Sequence, residues 1–464
     1  MNEQRGFISI FAVLIVIAVV GVGGYLAFSD KGDKPDSSKI EATDQDKNER
    51  EPGHSLPDVA PMESLKEARP QSSEGEAKNF TVPEETLPYK PQYPEALPQP
   101  NKVGLFGQQC EGAGDFKLKT FPINAENIEF IQPMGRVQDS HVTPTNHQYI
   151  VPVGTVSGSL VTGNPRKYEI KAPADGYIIA VELFKQPIEE QYRSQPYQDN
   201  YLVVFEHTCD FYTRLIHIDT LSEKVLSSFT FKDPNAPHPY ASSRIRVKEG
   251  EIIGTVGPHS FDFQIIDAKV KNPRIINPKQ LEEISVYTVD TFAYISDSLR
   301  SALLKKNLIK REPLGGTIGY DVLGKLAGNW FKIGRDRTKG DYWTDELSIV
   351  YDHLDPTQIR VSLGSFGGYP KAHGVKDNLP DPSTVGIGSG IIKYDLVTFD
   401  YYSDGEKWDA IHFRENLIAK NNDDVRGAVL FQLTDERTLK VEVFPGLATS
   451  QVTGFTNAAG LYER

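Results

Sequence analysis

The sequence predicts a mainly β protein with one N-terminal transmembrane helix. Three observations carry that reading. The 464 residues include 38 Gly, 31 Pro, 23 Phe and 21 Tyr, which favours strands and turns over helix bundles. Short apolar or alternating runs bounded by turn residues recur from about residue 103 to the end. One long uncharged run lies near the start. The length suggests two or three domains. The expected order is a transmembrane helix, a disordered tether, a first β domain, a short helix and a second antiparallel β barrel or sandwich. A net charge of −13, from 50 basic and 63 acidic residues, argues against nucleic acid as a partner. Two cysteines rule out a disulfide-dense scaffold or a four-cysteine zinc ribbon.

Residues 7–28 (FISIFAVLIVIAVVGVGGYLAF) carry no charge over 22 positions. At 1.5 Å per residue they make about 33 Å of helix, enough for a hydrocarbon core of about 30 Å. Residues 1–6 form a short head in which Arg5 balances Glu3. Such a head is expected to stay cytoplasmic, which places the bulk of the chain outside a single-pass cell membrane anchor. The apolar run exceeds the roughly 7–15 residues of a signal-peptide core, and no small-x-small cleavage site follows. An uncleaved anchor is therefore expected. Arg5-Gly6-Phe7 also resembles the entry of type IV pilin-like proteins, but Phe11 stands where those carry Glu.

The linker, residues 29–102, changes composition. Residues 30–100 hold eleven Pro, sixteen acidic and nine basic residues, with no apolar periodicity. This reads as a disordered, charge-extended tether ending in a polyproline-like stretch. Its coil span is about 45 Å, enough to hold a folded part away from a membrane and within a cell wall.

Residues 103–285 read as a first β domain. Expected strands include Tyr168–Lys171, Tyr177–Val181, Tyr201–Phe205 and Phe261–Ile265. Turn signals at Asp175-Gly176, Gly163-Asn164-Pro165, Lys248–Glu251 and Gly257-Pro258 separate them.

Four segments of this region fall in an order that resembles the lysostaphin-type zinc metallopeptidases, which cut peptidoglycan cross-links. Ala172-Pro173-Ala174-Asp175-Gly176-Tyr177-Ile178 is similar to that family's A-P-x-D-G-x-V turn. Val203–His207 followed by Tyr212–Ile218 is similar to its V-x-x-x-H and Y-x-x-Y-x-H-L strands. Arg246–Gly257 is similar to V-K-x-G-x-x-I-G-x-x-G, and Gly257–Gln264 falls where G-P-H-L-H-F-E belongs. The resemblance covers residues 130–268 and implies a duplicated hybrid-motif β fold. It also implies a zinc site: a His and an Asp from H-x-G-x-D, the second His of H-x-H, and a further catalytic His. The chain departs from that pattern. If His147 is the first ligand, Val151 stands where the Asp belongs, and Asp262 or Phe261 replaces the ligand His. Only His217 sits cleanly at the catalytic His position.

The expectation is thus a degenerate site with no metal and no catalytic residue. His217 is kept as the candidate catalytic group, and His147 and Asp262 as candidate metal ligands. Six of the ten His still cluster between 141 and 259. The candidate groove comprises His141, Asn146, His147, Tyr149, His217, His259 and Asp262. His238, in a Pro-flanked loop, is expected at the surface. Outside the membrane Cys110 and Cys209 would be oxidised to a disulfide; two free thiols are the alternative.

Residues 286–313 form a connector whose stretch Tyr294–Arg311 is expected to be helical, capped by Ser296 or Asp297 and stopped by Glu312-Pro313. Residues 314–464 are strand-rich again, with Leu347–Tyr351, Gln358–Leu363, Val397–Tyr401, Ala428–Leu433 and Leu439–Val443 as strands. Ala327-Gly328-Asn329-Trp330 contains a Gly-x-Trp that resembles the first strand of lipocalin-like, calycin-type barrels. Asp352-His353-Leu354-Asp355 reads as a surface loop because Pro356 follows.

Three functions follow as expectations. The leading one is a non-catalytic, membrane-anchored envelope protein that binds wall peptide, glycan or a protein partner through the peptidase-like domain. The second is a zinc-dependent peptidoglycan hydrolase with an atypical ligand set. The third is a carrier of a small apolar ligand in the C-terminal barrel.

Overall fold

A computed structural model describes residues 104–138, 141–155, 167–185, 199–236, 238–337 and 342–464. The expected head, membrane helix and tether lie outside these residues, as do Gly163-Asn164-Pro165 and Pro237. Among the described residues no helix is long and apolar enough to cross a membrane. The fold is mainly β.

Ten strands come first: β1 (Ile128–Gln132), β2 (Gln148–Pro152), β3 (Tyr168–Lys171), β4 (Gly176–Phe184), β5 (Asn200–Glu206), β6 (Phe211–Ile218), β7 (Thr220–Leu221), β8 (Tyr240–Val247), β9 (Ile252–Val256) and β10 (Phe261–Asp267). A helical turn, α1 (Glu223–Ser227), follows β7. Seven strands form an antiparallel sheet in the order β1-β2-β10-β6-β5-β4-β8, and β3-β9-β7 form a small second sheet. Alternation sorts the side chains of the large sheet. Ile150, Val203, Leu215, Phe261 and Phe263 point to one face and share a core with Ile170, Ile253 and Val256 of the small sheet. The opposite face carries Ala180, Leu202, Val204, Tyr212 and Ile216. That second face builds the site described below.

The connector helix is shorter than expected: α2 spans Asp297–Leu304 only. The reason is competition from a sheet edge. Lys306 O accepts from the backbone N–H of Ile131, and Leu308 N–H donates to Ile131 O, so the chain lies along β1 instead of continuing the helix.

The C-terminal part is a barrel. Its strands are β11 (Gly328–Lys332), β12 (Glu346–Tyr351), β13 (Ile359–Phe366), β14 (Tyr369–Val375), β15 (Ile392–Ser403), β16 (Glu406–Lys407), β17 (Ile418–Leu433), β18 (Thr438–Pro445) and β19 (Gly460–Glu463). Apart from the short β16 at the tip of β15, each strand pairs with its successor, and β19 returns to β11. The result is an eight-strand antiparallel closed barrel. Trp330, Leu347, Ile349, Val361, Tyr394 and Phe431 fill its core. Gly328 is required where it stands: its φ is +127°, and a Cβ there would lie 2.4 Å from Asp321 Oδ1. Arg464 lies with its guanidinium carbon 3.8 Å from the Trp330 ring centroid.

Beyond the barrel β15 and β17 extend as an arm. Trp408 and Leu417 from this arm pack on Phe130, Val151, Leu308 and Leu354. The arm explains a correction to the sequence reading. Asp352-His353-Leu354 is buried, not at the surface, because the arm covers the turn. Asp352 accepts from Arg360 Nε at 2.8 Å, from Tyr401 OH at 2.6 Å and from the backbone N–H groups of Leu354 and Asp355. His238 is likewise half-buried, its ring 5.3 Å from that of Phe184.

Candidate functional site

The second face of the large sheet becomes a site because three strands present polar groups on it in register. Asp262 on β10 lies opposite Tyr149 on β2 and Ile216 on β6. His147, two residues before Tyr149, points the same way. Strict alternation would turn His217 to the other face, with Leu215. A bulge prevents this: the β5–β6 register shifts between Tyr201 and Val203, and His217 takes φ +70°. The side-chain phase flips there, so Ile216 and His217 both face the site while Ile218 returns to the core.

Three side chains therefore meet. His147 Nε2 lies 3.3 Å and His217 Nε2 3.7 Å from the same oxygen, Oδ2 of Asp262. Each imidazole is held from behind by an amide: His147 Nδ1 is 3.0 Å from Asn146 Oδ1, and His217 Nδ1 is 3.0 Å from Asn200 Oδ1. The His141 ring meets that of His147 edge-on at 5.7 Å, and Tyr149 does so from another side at 5.0 Å. Burial dominates the electrostatics. It pushes the Asp262 carboxyl up to about 8, against the pull of Arg214 and His259. It holds His217 down to about 3, with His259 and His141 adding to the effect. His141 falls to about 4 through burial and Arg136, and His147 lies well below the usual imidazole range. At neutral pH the imidazoles are uncharged, and burial favours the protonated form of the Asp262 carboxyl. Among the described residues, Asp262 Oδ1 and His147 Nε2 have no hydrogen-bond partner.

Around this centre runs a charged frame. Arg214, on the same face of β6, pairs with Glu282 through Nη1 and Oε1 at 2.5 Å. Asn146 Nδ2 donates to Glu282 Oε2 at 3.1 Å and to Ser285 Oγ at 2.8 Å. Glu182 on β4 is lifted to about 8 by burial and Glu282, against the pull of Arg214. Arg214, Asn146, Glu282 and Ser285 form one wall of a cleft of about 150 Å³. The barrel supplies the other wall: Asn329, Arg337 and Glu346 line it, and Glu346 is paired with Arg335.

The structure brings His141, Asn146, His147, Tyr149, His217 and Asp262 into one group. His259 stands aside. Its Nε2 is 2.6 Å from Asp219 Oδ1, a hydrogen bond that raises its pKa although burial alone would lower it. Cys110 and Cys209 are joined in a disulfide. Arg214, Glu282, Ser285 and Asn200 were missed. Of these Arg214 was within reach, since it sits two residues before Ile216 on a strand already recognised. The barrel residues were not, because no local pattern tells which outer face of a barrel will be covered.

Among the described residues no group of three or more His, Cys, Asp or Glu side chains is arranged to hold a metal ion. Val151, at the position where the resemblance calls for an Asp ligand, is buried against Phe130 and contributes no donor. In comparisons with known proteins, the chain matches no protein-family model and no curated protein.

Proposed function

We propose that this chain is a membrane-anchored, extracytoplasmic envelope protein that binds a wall peptide or glycan, or a segment of a partner protein, without cutting it. The cleft between the large sheet and the barrel is the binding site. One observation carries the reading. The cleft is lined by the uncharged imidazoles of His141 and His147, the buried Asp262 carboxyl and the pinned Asn146 amide, and the ligand position of the resembled zinc site is a buried valine. Such a surface recognises amide and hydroxyl groups by hydrogen bonding, with Leu202 and Phe184 supplying apolar contact. The test is co-sedimentation of the full chain with purified wall material, followed by analysis of the soluble fragments. Retention with no released fragments is expected, together with at least tenfold weaker retention for Arg214→Leu. Release of cleaved peptides, or no retention at all, would defeat the reading.

A second reading, a zinc-dependent hydrolase, rests on two distances. Zinc bonds of about 2.0–2.1 Å in tetrahedral geometry put ligand atoms about 3.3–3.4 Å apart, and Asp262 Oδ2 lies 3.3 and 3.7 Å from the two imidazole nitrogens. As placed, His147, His217 and Asp262 form no metal-holding group, so on this reading they would have to draw together to act as ligands, and a zinc so held would activate water. Metal analysis separates the readings: about one zinc per chain, lost in His217→Ala, favours the hydrolase. The apolar-carrier reading finds its barrel core occupied by Trp330, Tyr394 and Phe431.

A further inference from the structure

The geometry points to Asn146 as a positioning residue that fixes which ring nitrogen of His147 carries the proton, and so makes the cleft floor a receptor for a hydrogen-bond donor or a cation. The functional meaning rests on the cleft being the binding site. The assignment itself does not.

The argument runs outward from a carboxylate. Glu282 is salt-bridged to Arg214, and an ionised carboxylate only accepts hydrogen bonds. The Asn146 atom 3.1 Å from it must therefore be the NH₂ end, which also reaches Ser285 Oγ at 2.8 Å. An amide so pinned cannot turn over. Its oxygen then faces His147 Nδ1 at 3.0 Å and requires a hydrogen there. A neutral imidazole has one N–H, so Nε2 bears the lone pair. That lone pair looks at Asp262 Oδ2, 3.3 Å away.

His217 repeats the arrangement. Its Nδ1 meets Asn200 Oδ1 at 3.0 Å, and its Nε2 lies 3.7 Å from the same Asp262 oxygen. The His147 lone pair, His217 Nε2 and one carboxyl oxygen thus lie together beside the open cleft. They repel one another unless something electron-poor sits among them. In the occupied cleft an N–H, O–H or ammonium group of the ligand takes that place, and an anionic group is turned away. Backing a functional imidazole with a fixed acceptor is a general device for choosing its tautomer.

The test needs no ligand. The full chain, labelled with ¹⁵N-histidine, is studied by long-range proton–nitrogen correlation, and the His147 signals are identified by their loss in His147→Gln. We expect a pyrrole-type signal at Nδ1 and a pyridine-type signal at Nε2. Asn146→Ala should move the proton to Nε2. An Nε2–H form in the unaltered chain overturns the assignment. So does an unchanged tautomer in a folded Asn146→Ala. If Asn146→Ala does not fold, the tautomer of the unaltered chain still decides. Failure to bind wall material with Nδ1–H intact would count against the proposed function alone.

Discussion

Glu182 and the imidazoles of His147 and His217 share one sheet face yet respond to pH in opposite directions. The Glu182 pKa rises from an ordinary 4.5 to about 8. The native state keeps a proton that the unfolded chain has released, so this group's contribution to stability falls as pH climbs from about 4.5 to 8 and then levels. The slope approaches about 1.4 kcal/mol per pH unit at most. Glu182→Gln should flatten the decline in urea midpoint between pH 6.5 and 8; an unaltered slope would refute the burial account. The imidazoles act in reverse. His217 falls from 6.5 to about 3, so stability is lost as pH drops below 6.5, when the unfolded chain takes up a proton that the native state refuses. Much of the residue-level site was legible, because His147, His217 and Asp262 differ in kind from the apolar strands around them. What escaped was pairing across sequence: Glu282 lies 68 positions from Arg214, and nothing local links them.

Strands were the readable elements, since alternation is a local property. Tyr168–Lys171 was anticipated residue for residue. Helix α2 was overextended because the backbone of 306–308 is claimed by β1, a partner far away in sequence. The same blindness hid the buried Asp352 turn, whose cover comes from an arm about 50 residues later. Two element-level predictions follow from these contacts. Arg360 Nε holds Asp352 at 2.8 Å with both side chains 1% exposed. Arg360→Met leaves that carboxylate without its cation and should cost about 3–5 kcal/mol in chemical denaturation. The Cys110–Cys209 link closes a separation of 99 residues. Cys110→Ser should lower stability by up to about 4–5 kcal/mol on the chain-entropy account, read as a loss of the difference between reducing and oxidising conditions.

Across the whole molecule, the large sheet and the barrel complete one another. The cleft has one wall from each, and Phe130, Val151 and Leu308 are covered by Trp408 and Leu417 of the arm. A fragment ending at residue 313 should bind an apolar dye strongly and lose retention on wall material, whereas a fragment that stays compact and binds normally would show the barrel to be dispensable. A β barrel or sandwich was within reach of the sequence through its alternating strands. Its seating against the sheet was not, because burial of Asn329, Ser348 and Glu346 on the outer barrel face contradicts their polar character. One covalent feature also governs how the fold bears mechanical load. Tension entering from the amino-terminal side reaches Cys110 and passes directly to Cys209. The intervening segment is thereby bypassed. In a single-molecule pulling experiment it should lengthen only after a reductant is added.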